Sequence, residues 1–253
     1  MTDNWLLPFL FPTIAGIFTL LGGLLFFQVK KIHSHALHFS LGLSAGVMIY
    51  LSFMELLPHA ILDIGFLTAN IFFFLGILFM SILDYLMPHS YIASKLCSSG
   101  ENDRKLFKAG FMITSGLAIH NFPEGIAVFI GTVSDLSLGF LLMVAIALHN
   151  IPEGIAVAAP IYYSTKSKMR AFKYVFLTSI MEPIGAVAAF ALFAPWLSEQ
   201  LVAYIFSVVA GIMVYIAFDE LLPVCMLNSE KKQIPIIGLL VGMMLMAISL
   251  VLF

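Results

Sequence analysis

Two nine-residue segments of this chain are nearly identical: residues 120–128 read HNFPEGIAV and residues 149–157 read HNIPEGIAV. In each, a histidine and a glutamate stand four residues apart, His120 with Glu124 and His149 with Glu153. On an α-helix that spacing puts both side chains on one face, about one turn apart. Two such helices facing each other offer two imidazoles and two carboxylates, a ligand set suited to Zn²⁺ or another first-row divalent ion. Asn121 and Asn150 add carbonyl oxygens one residue along, and Glu182, within MEPIGA at 181–186, can supply a further carboxylate. That is enough nitrogen and oxygen for two adjacent ions bridged by Glu124 and Glu153. The prolines serve the same end. Pro123 and Pro152 have no N–H, so the carbonyls of Ile119 and Leu148 lose their helical partners, and Gly125 and Gly154 remove side-chain bulk just past each ligand.

The elements that must hold these groups are membrane spans. Of 253 residues, 61% are hydrophobic and only 10% are charged, where a soluble domain carries about a quarter charged residues. A soluble globular enzyme is excluded on that ground. A net charge of -2 with 12 Lys+Arg excludes a nucleic-acid binder, which needs a concentrated basic face. Stretches with little charge, broken inside by at most a carboxylate or two and with basic residues only at their edges, fall at roughly 5–29, 37–58, 66–87, 107–131, 136–161, 170–195, 200–222 and 234–253. Each is near the ~20 residues of one bilayer crossing. The expected fold is therefore an all-α membrane protein of eight transmembrane helices, one domain over 1–253, with a cytoplasmic loop at about 88–106. No basic leader precedes the first apolar run, so that run is expected to stay as a helix.

An ionised side chain at the bilayer centre costs about 2.5–3.5 kcal/mol on insertion scales. Glu124, Glu153 and Glu182 lie near the middle of their spans, and the few Lys and Arg residues within the spans stand at the edges, nine or more residues away in sequence. Protonation, water or a bound cation must offset the cost, and the doubled His/Glu motif favours the cation. A single buried His or Glu is as easily a hydrogen-bonded packing residue; the same set arriving twice in register is not.

All twelve basic residues fall in, or at the edges of, the links after spans one, three, five and seven. The positive-inside rule then places those links in the cytoplasm and both termini outside. Cys97 and Cys225 lie on or near that reducing side, fit no zinc spacing and form no disulfide framework. Residues 45–60, AGVMIYLSFMELLPHA, match 210–225, AGIMVYIAFDELLPVC, at nine of sixteen positions. Both repeated pairs join spans of opposite direction. That predicts an inverted-topology repeat, spans one to three related to spans six to eight around a central four and five, with substrate held near the midplane.

Several groups flank the centre. Glu55 and Glu220, the repeat-related acids, suit an entrance and an exit. His59 and Asp63 lie just beyond Glu55, and His33, His35 and His38 cluster where an outgoing ion would arrive. Asp84 and His89 read as interfacial. The methionines, Met54 and Met181 among them, read as core filler rather than a thioether copper site.

Enzymatic readings fit less well. A metalloprotease wants His-Glu-x-x-His, which does not occur. Carboxylate-bridged di-iron helices carry Glu-x-x-His, whereas the spacing here is His-x-x-x-Glu. A primary pump lacks its phosphate-binding loop and any room for a nucleotide domain. The chain reads as a transporter, not an enzyme. The alternative within that class is a proton- or organic-substrate secondary carrier using the same buried carboxylates.

The paired HNFPEG and HNIPEG motifs, with MEPIGA at 181–186, closely resemble the ZIP (Zrt-, Irt-like) divalent metal transporter family, and SFMELLP and FDELLP resemble its bacterial ZupT-type branch. The resemblance covers nearly the whole chain. It implies uptake of zinc, often with iron, manganese, cobalt or cadmium, across a bacterial inner membrane into the cytoplasm through eight helices. It implies no cofactor, with the divalent ion itself as substrate. It places ligands at His120, Glu124, His149, Asn150, Glu153 and Glu182, with Asn121 on a neighbouring second ion. Relatives that carry other residues at the His149 and Asn150 positions differ in metal preference. The His-rich loop of many eukaryotic members is absent. The expected partners are divalent ions and lipid; the oligomeric state, a homodimer included, stays open, since small residues such as Gly42 and Gly46 permit close packing within or between subunits.

Overall fold

The computed structural model describes residues 5–28, 34–86, 101–227 and 231–252, and these are helical almost throughout, with no strand among them. Eight helices follow in order. α1 is Leu6–Gln28. α2 runs over Ser34–Leu51, passes through a π-helical turn at Ser52–Leu56 and ends with Leu57–Ile64. α3 is Phe66–Leu86, α4 is Glu101–Ser134 and α5 is Leu136–Thr165. α6 is broken into Lys168–Ser179 and Met181–Phe193 and closes on a 3₁₀ turn, Ala194–Trp196. α7 is Glu199–Ile216, then a second π-helical turn at Ala217–Leu221, then Leu222–Leu227. α8 is Gln233–Leu252.

Local chemistry sets the boundaries. Asp135, Ser167 and Ser198 cap α5, α6 and α7, each side-chain oxygen accepting the N–H of the third residue on, which satisfies a donor the helix cannot. Gly65 joins α2 to α3 at φ 80°, a conformation open to glycine at little cost. α4 starts at Glu101, six residues before the expected edge of the span, so 101–106 of the expected loop are helix. Charge marks where a bilayer ends, not where a helix does, and Glu, Arg and Lys are good helix formers. The rest of that loop, with His89 and Cys97, lies outside the described residues, as does His33.

Seven of the helices are long and apolar enough to cross a membrane. α4 is long enough, at 34 residues, but His120, Asn121 and Glu124 interrupt its apolar run. The surface is the reverse of a soluble protein's. Phe66, Leu67, Phe74, Ile237 and Leu240 face outward, while His120, Asn121, Glu124, His149, Asn150, Glu153 and Glu182 are fully buried. That arrangement suits a multi-pass protein in hydrocarbon.

The closest packing pairs are α1 with α5, α4 with α5 and α6, α2 with α8, and α3 with α7. Glycines let these backbones touch. A Cβ on Gly46 would strike the Leu239 carbonyl oxygen and one on Gly242 the Leu43 carbonyl; Gly76 and Gly211 bear on Val208 and Phe73 in the same way. The helices fall into two groups, α1, α4, α5 and α6 against α2, α3, α7 and α8. Among the described glycines only Gly116, on α4, has its close contact across the groups, and that contact is the Glu220 carboxylate of α7.

Candidate metal centre

α4 and α5 are joined by one residue, Asp135, so they form a hairpin that faces the two repeated motifs toward each other. His149 Nε2 lies 2.9 Å from Glu124 Oε1. His120 Nε2 lies 3.3 Å from Glu153 Oε1 and 3.5 Å from Glu124 Oε1, completing a hydrogen bond to neither. Ligand atoms of His120, His149 and Glu153 all sit within 4.8 Å of one another, close enough for one ion to reach all three. His149 Nδ1 lies 3.1 Å from the Ala145 carbonyl oxygen. A carbonyl can only accept, so a hydrogen bond there requires the proton on Nδ1 and leaves Nε2 to face Glu124. The short contact from Nε2 to Glu124 then needs an electropositive centre between them, a proton or a metal ion.

Glu182 and the two asparagines form a second cluster. Asn150 donates from Nδ2 to Glu182 Oε1 at 2.6 Å and to the Ala15 carbonyl at 3.0 Å. Asn121 donates to the Thr178 carbonyl at 3.4 Å and to Glu182 Oε1 at 3.5 Å. Both amides spend their N–H groups this way, which leaves Asn121 Oδ1, Asn150 Oδ1 and Glu182 Oε2 without a partner. Of the eleven such buried side-chain atoms among the described residues, eight belong to His120, Asn121, Glu124, Asn150, Glu153 and Glu182. Native interiors carry few such atoms, and a concentration at one place is what a cation site requires.

The break in α6 puts Glu182 there. Pro183 cannot donate to the Ser179 carbonyl; the helix lapses at Ile180 and restarts at Met181, with Glu182 in the first turn. A carboxylate is favoured at that positive end of the helix dipole. Gly125 bears on the Glu182 carbonyl and Gly185 on the Phe122 carbonyl, while Gly154 bears on Thr19 and Gly22 on Ile151 in the same manner. The motif glycines therefore do more than clear space past a ligand. They bring α6 and α1 against α4 and α5, which is how Glu182 and the Ala15 carbonyl reach the site.

The flanking residues sort differently. Glu220 stands in the second π turn, its carboxylate against Gly116, one turn of α4 before His120. It lines a cavity of ≈ 240 Å³ with Asp84, Asp219 and Gly116. Asp84, near the end of α3, lines the same cavity as Glu220, a placement that depends on α3 packing on α7 and has no local signal in the sequence. Glu55, in the first π turn, lines a separate cavity of ≈ 340 Å³ with His59 and Asp135. His59 Nε2 lies 3.8 Å from Asp63 Oδ2. His35 is exposed and His38 buried at the start of α2.

Known proteins resemble this chain along its whole length. The family profile described as ZIP Zinc transporter matches residues 87–250. The chain is 43% identical to the "Zinc transporter ZupT" of Chlorobium limicola over 98% of both chains. It is 44% identical to that of Oceanobacillus iheyensis over 99% of both, and 41% identical to that of Streptococcus mutans over the full length of both. Three relatives of this closeness and a profile spanning the doubled motif settle the kinship: the chain belongs to the ZIP zinc transporter family.

Proposed function

We propose that the chain, acting as one transport domain over 1–253, carries Zn²⁺, with Fe²⁺, Mn²⁺, Co²⁺ and Cd²⁺ as further cargo, across a bacterial inner membrane into the cytoplasm. The observation that carries this reading is the concentration of unpartnered buried donor atoms on α4, α5 and α6. Nε2 of His120 and His149 with Glu153 serve one ion, a nitrogen and oxygen set that suits zinc. Asn121 Oδ1, Asn150 Oδ1 and Glu182 Oε2 serve a second, and Glu124 and Glu153 bridge the two. The relatives' printed names, all zinc transporters, support the cargo.

Movement is by alternating access. The two helix groups are each held by glycine-mediated backbone contact, and almost none of that contact crosses between them, so rocking one group against the other disturbs the least packing. Glu55 and His59 mark the outer approach, and Glu220 with His35 and His38 the inner one, given both termini outside the cytoplasm as the basic residues require. An inverted repeat accounts for the symmetry. Exchanging α1–α3 with α6–α8 and α4 with α5 maps each close pair onto another, α2/α8 onto α7/α3 and α1/α5 onto α6/α4. The two π turns stand at equivalent positions of the matched segments.

Radiolabelled zinc uptake into proteoliposomes tests the assignment. His120→Ala and Glu153→Ala, each inserted at wild-type levels, should lower the initial rate at least about tenfold, as loss of a supporting contact alone does at metal sites. Wild-type rates in both would overturn it.

A further inference from the structure

Behind the metal centre lies a groove of ≈ 600 Å³ walled by α4 and α6 on one side and α3 and α7 on the other. Phe122, Pro123 and Met181 form its floor, and each is next in sequence to Asn121, Glu124 or Glu182. Phe72, Val208 and Ile212 stand opposite; every lining residue is apolar save the aromatic Tyr204. It opens at the surface past Phe79, which is 56% exposed. Along α3 the lining runs from Phe72 to Leu83, about 16 Å of helix at ~1.5 Å per residue. That is close to half of the ~30 Å hydrocarbon core, the depth of one leaflet.

From this geometry we propose that the groove is a lipid site, filled by one acyl chain of a bilayer phospholipid that enters past Phe79. Water is a poor occupant, because the walls give it no polar partners. An acyl chain matches in length, polarity and direction, and it is the commonest molecule at that depth. Seated there, it fills the apolar gap between α4 and α6 on one side and α3 and α7 on the other and keeps water from the backs of Asn121, Glu124 and Glu182. The proposal needs the chain to span a membrane and does not depend on which ion it carries.

The test is photolabelling of the whole protein in phosphatidylcholine liposomes doped with a phosphatidylcholine bearing a mid-chain diazirine, with adducts mapped by mass spectrometry. Adducts are expected on Phe122, Met181 or Val208, in addition to the outward faces of α3 and α8. In the filled variant Val208→Trp those groove adducts should fall to background while adducts at Ile237 and Leu240 of α8 persist. Labelling confined to the outward faces of the wild-type protein would overturn the proposal whether or not the variant folds. So would groove residues crosslinked to a second protein chain, or groove adducts unchanged in a Val208→Trp protein that elutes as the wild type does.

Discussion

At the centre, each residue does two jobs with different atoms. Asn150 uses both N–H directions to hold Glu182 and the α1 backbone, and so aims its carbonyl oxygen; His149 uses Nδ1 on Ala145 and so aims Nε2. Positioning of this kind is how supporting contacts tune a metal ligand. It makes the two proposed ions separable. Glu182→Gln keeps the size and still accepts from Asn150, but removes the charge, so tightly bound zinc measured by elemental analysis should drop from two ions per chain to one. Two ions retained by a well-folded Glu182→Gln protein would sink the two-ion reading. Protons compete for the same lone pairs, since binding needs neutral imidazole and ionised carboxylate. As pH falls, protons occupy more of these groups, so the zinc concentration for half-maximal uptake should rise. A concentration that stays flat from pH 7.5 to 5.5 would argue against histidine ligation.

At the scale of helices, the proposed ligand and pathway acids sit where the helices are irregular. α6 breaks before Glu182, and α2 and α7 each carry a π turn at their acid, Glu55 and Glu220; such turns are rare and gather at functional sites. The sequence showed the doubled motif, the spans and the matched segments, because those are local periodicities. It did not show the π turns, which need one extra residue in a turn and no special residue type. Nor did it show that Asp84 joins Glu220, which depends on packing between helices far apart in the chain. Gly125 and Gly154 were visible as small residues, but their contacts were not. The contacts carry a prediction. Gly46→Val pushes a Cβ and two methyls into the Leu239 backbone, and overpacking of this kind costs typically 1–3 kcal/mol. Thermal unfolding in detergent should show a clearly lower midpoint than Gly65→Val, whose Cβ meets nothing within 4 Å and whose cost is confined to backbone strain. Equal midpoints would mean that α2 and α8 do not meet as described.

For the whole molecule, the division into two groups makes a demand that a single rigid bundle does not. A bridge inside one group should be silent, and a bridge between groups should arrest transport. Phe72 and Tyr204 meet as tilted rings 4.5 Å apart between centroids within one group, α3 on α7, and Phe9 and Phe190 meet at 5.5 Å within the other, α1 on α6. Leu41 of α2 and Leu117 of α4 face the same small cavity from opposite groups. In a background with Cys97 and Cys225 replaced by serine, paired cysteines at each of these three places can be joined by a short bifunctional thiol reagent. Zinc uptake should survive the first two bridges at near the uncrosslinked rate and be lost on the third, returning when a reducible linker is cleaved. The affinity of the centre for zinc should change little, because no bridged residue touches it. Uptake that continues with Leu41→Cys and Leu117→Cys fully joined would mean the ion crosses without the groups moving apart. The centre would then have to pass its cargo along a fixed path from the Glu55 cavity to the Glu220 cavity, and binding at the midplane would have to be weak enough for release without any change in its ligands.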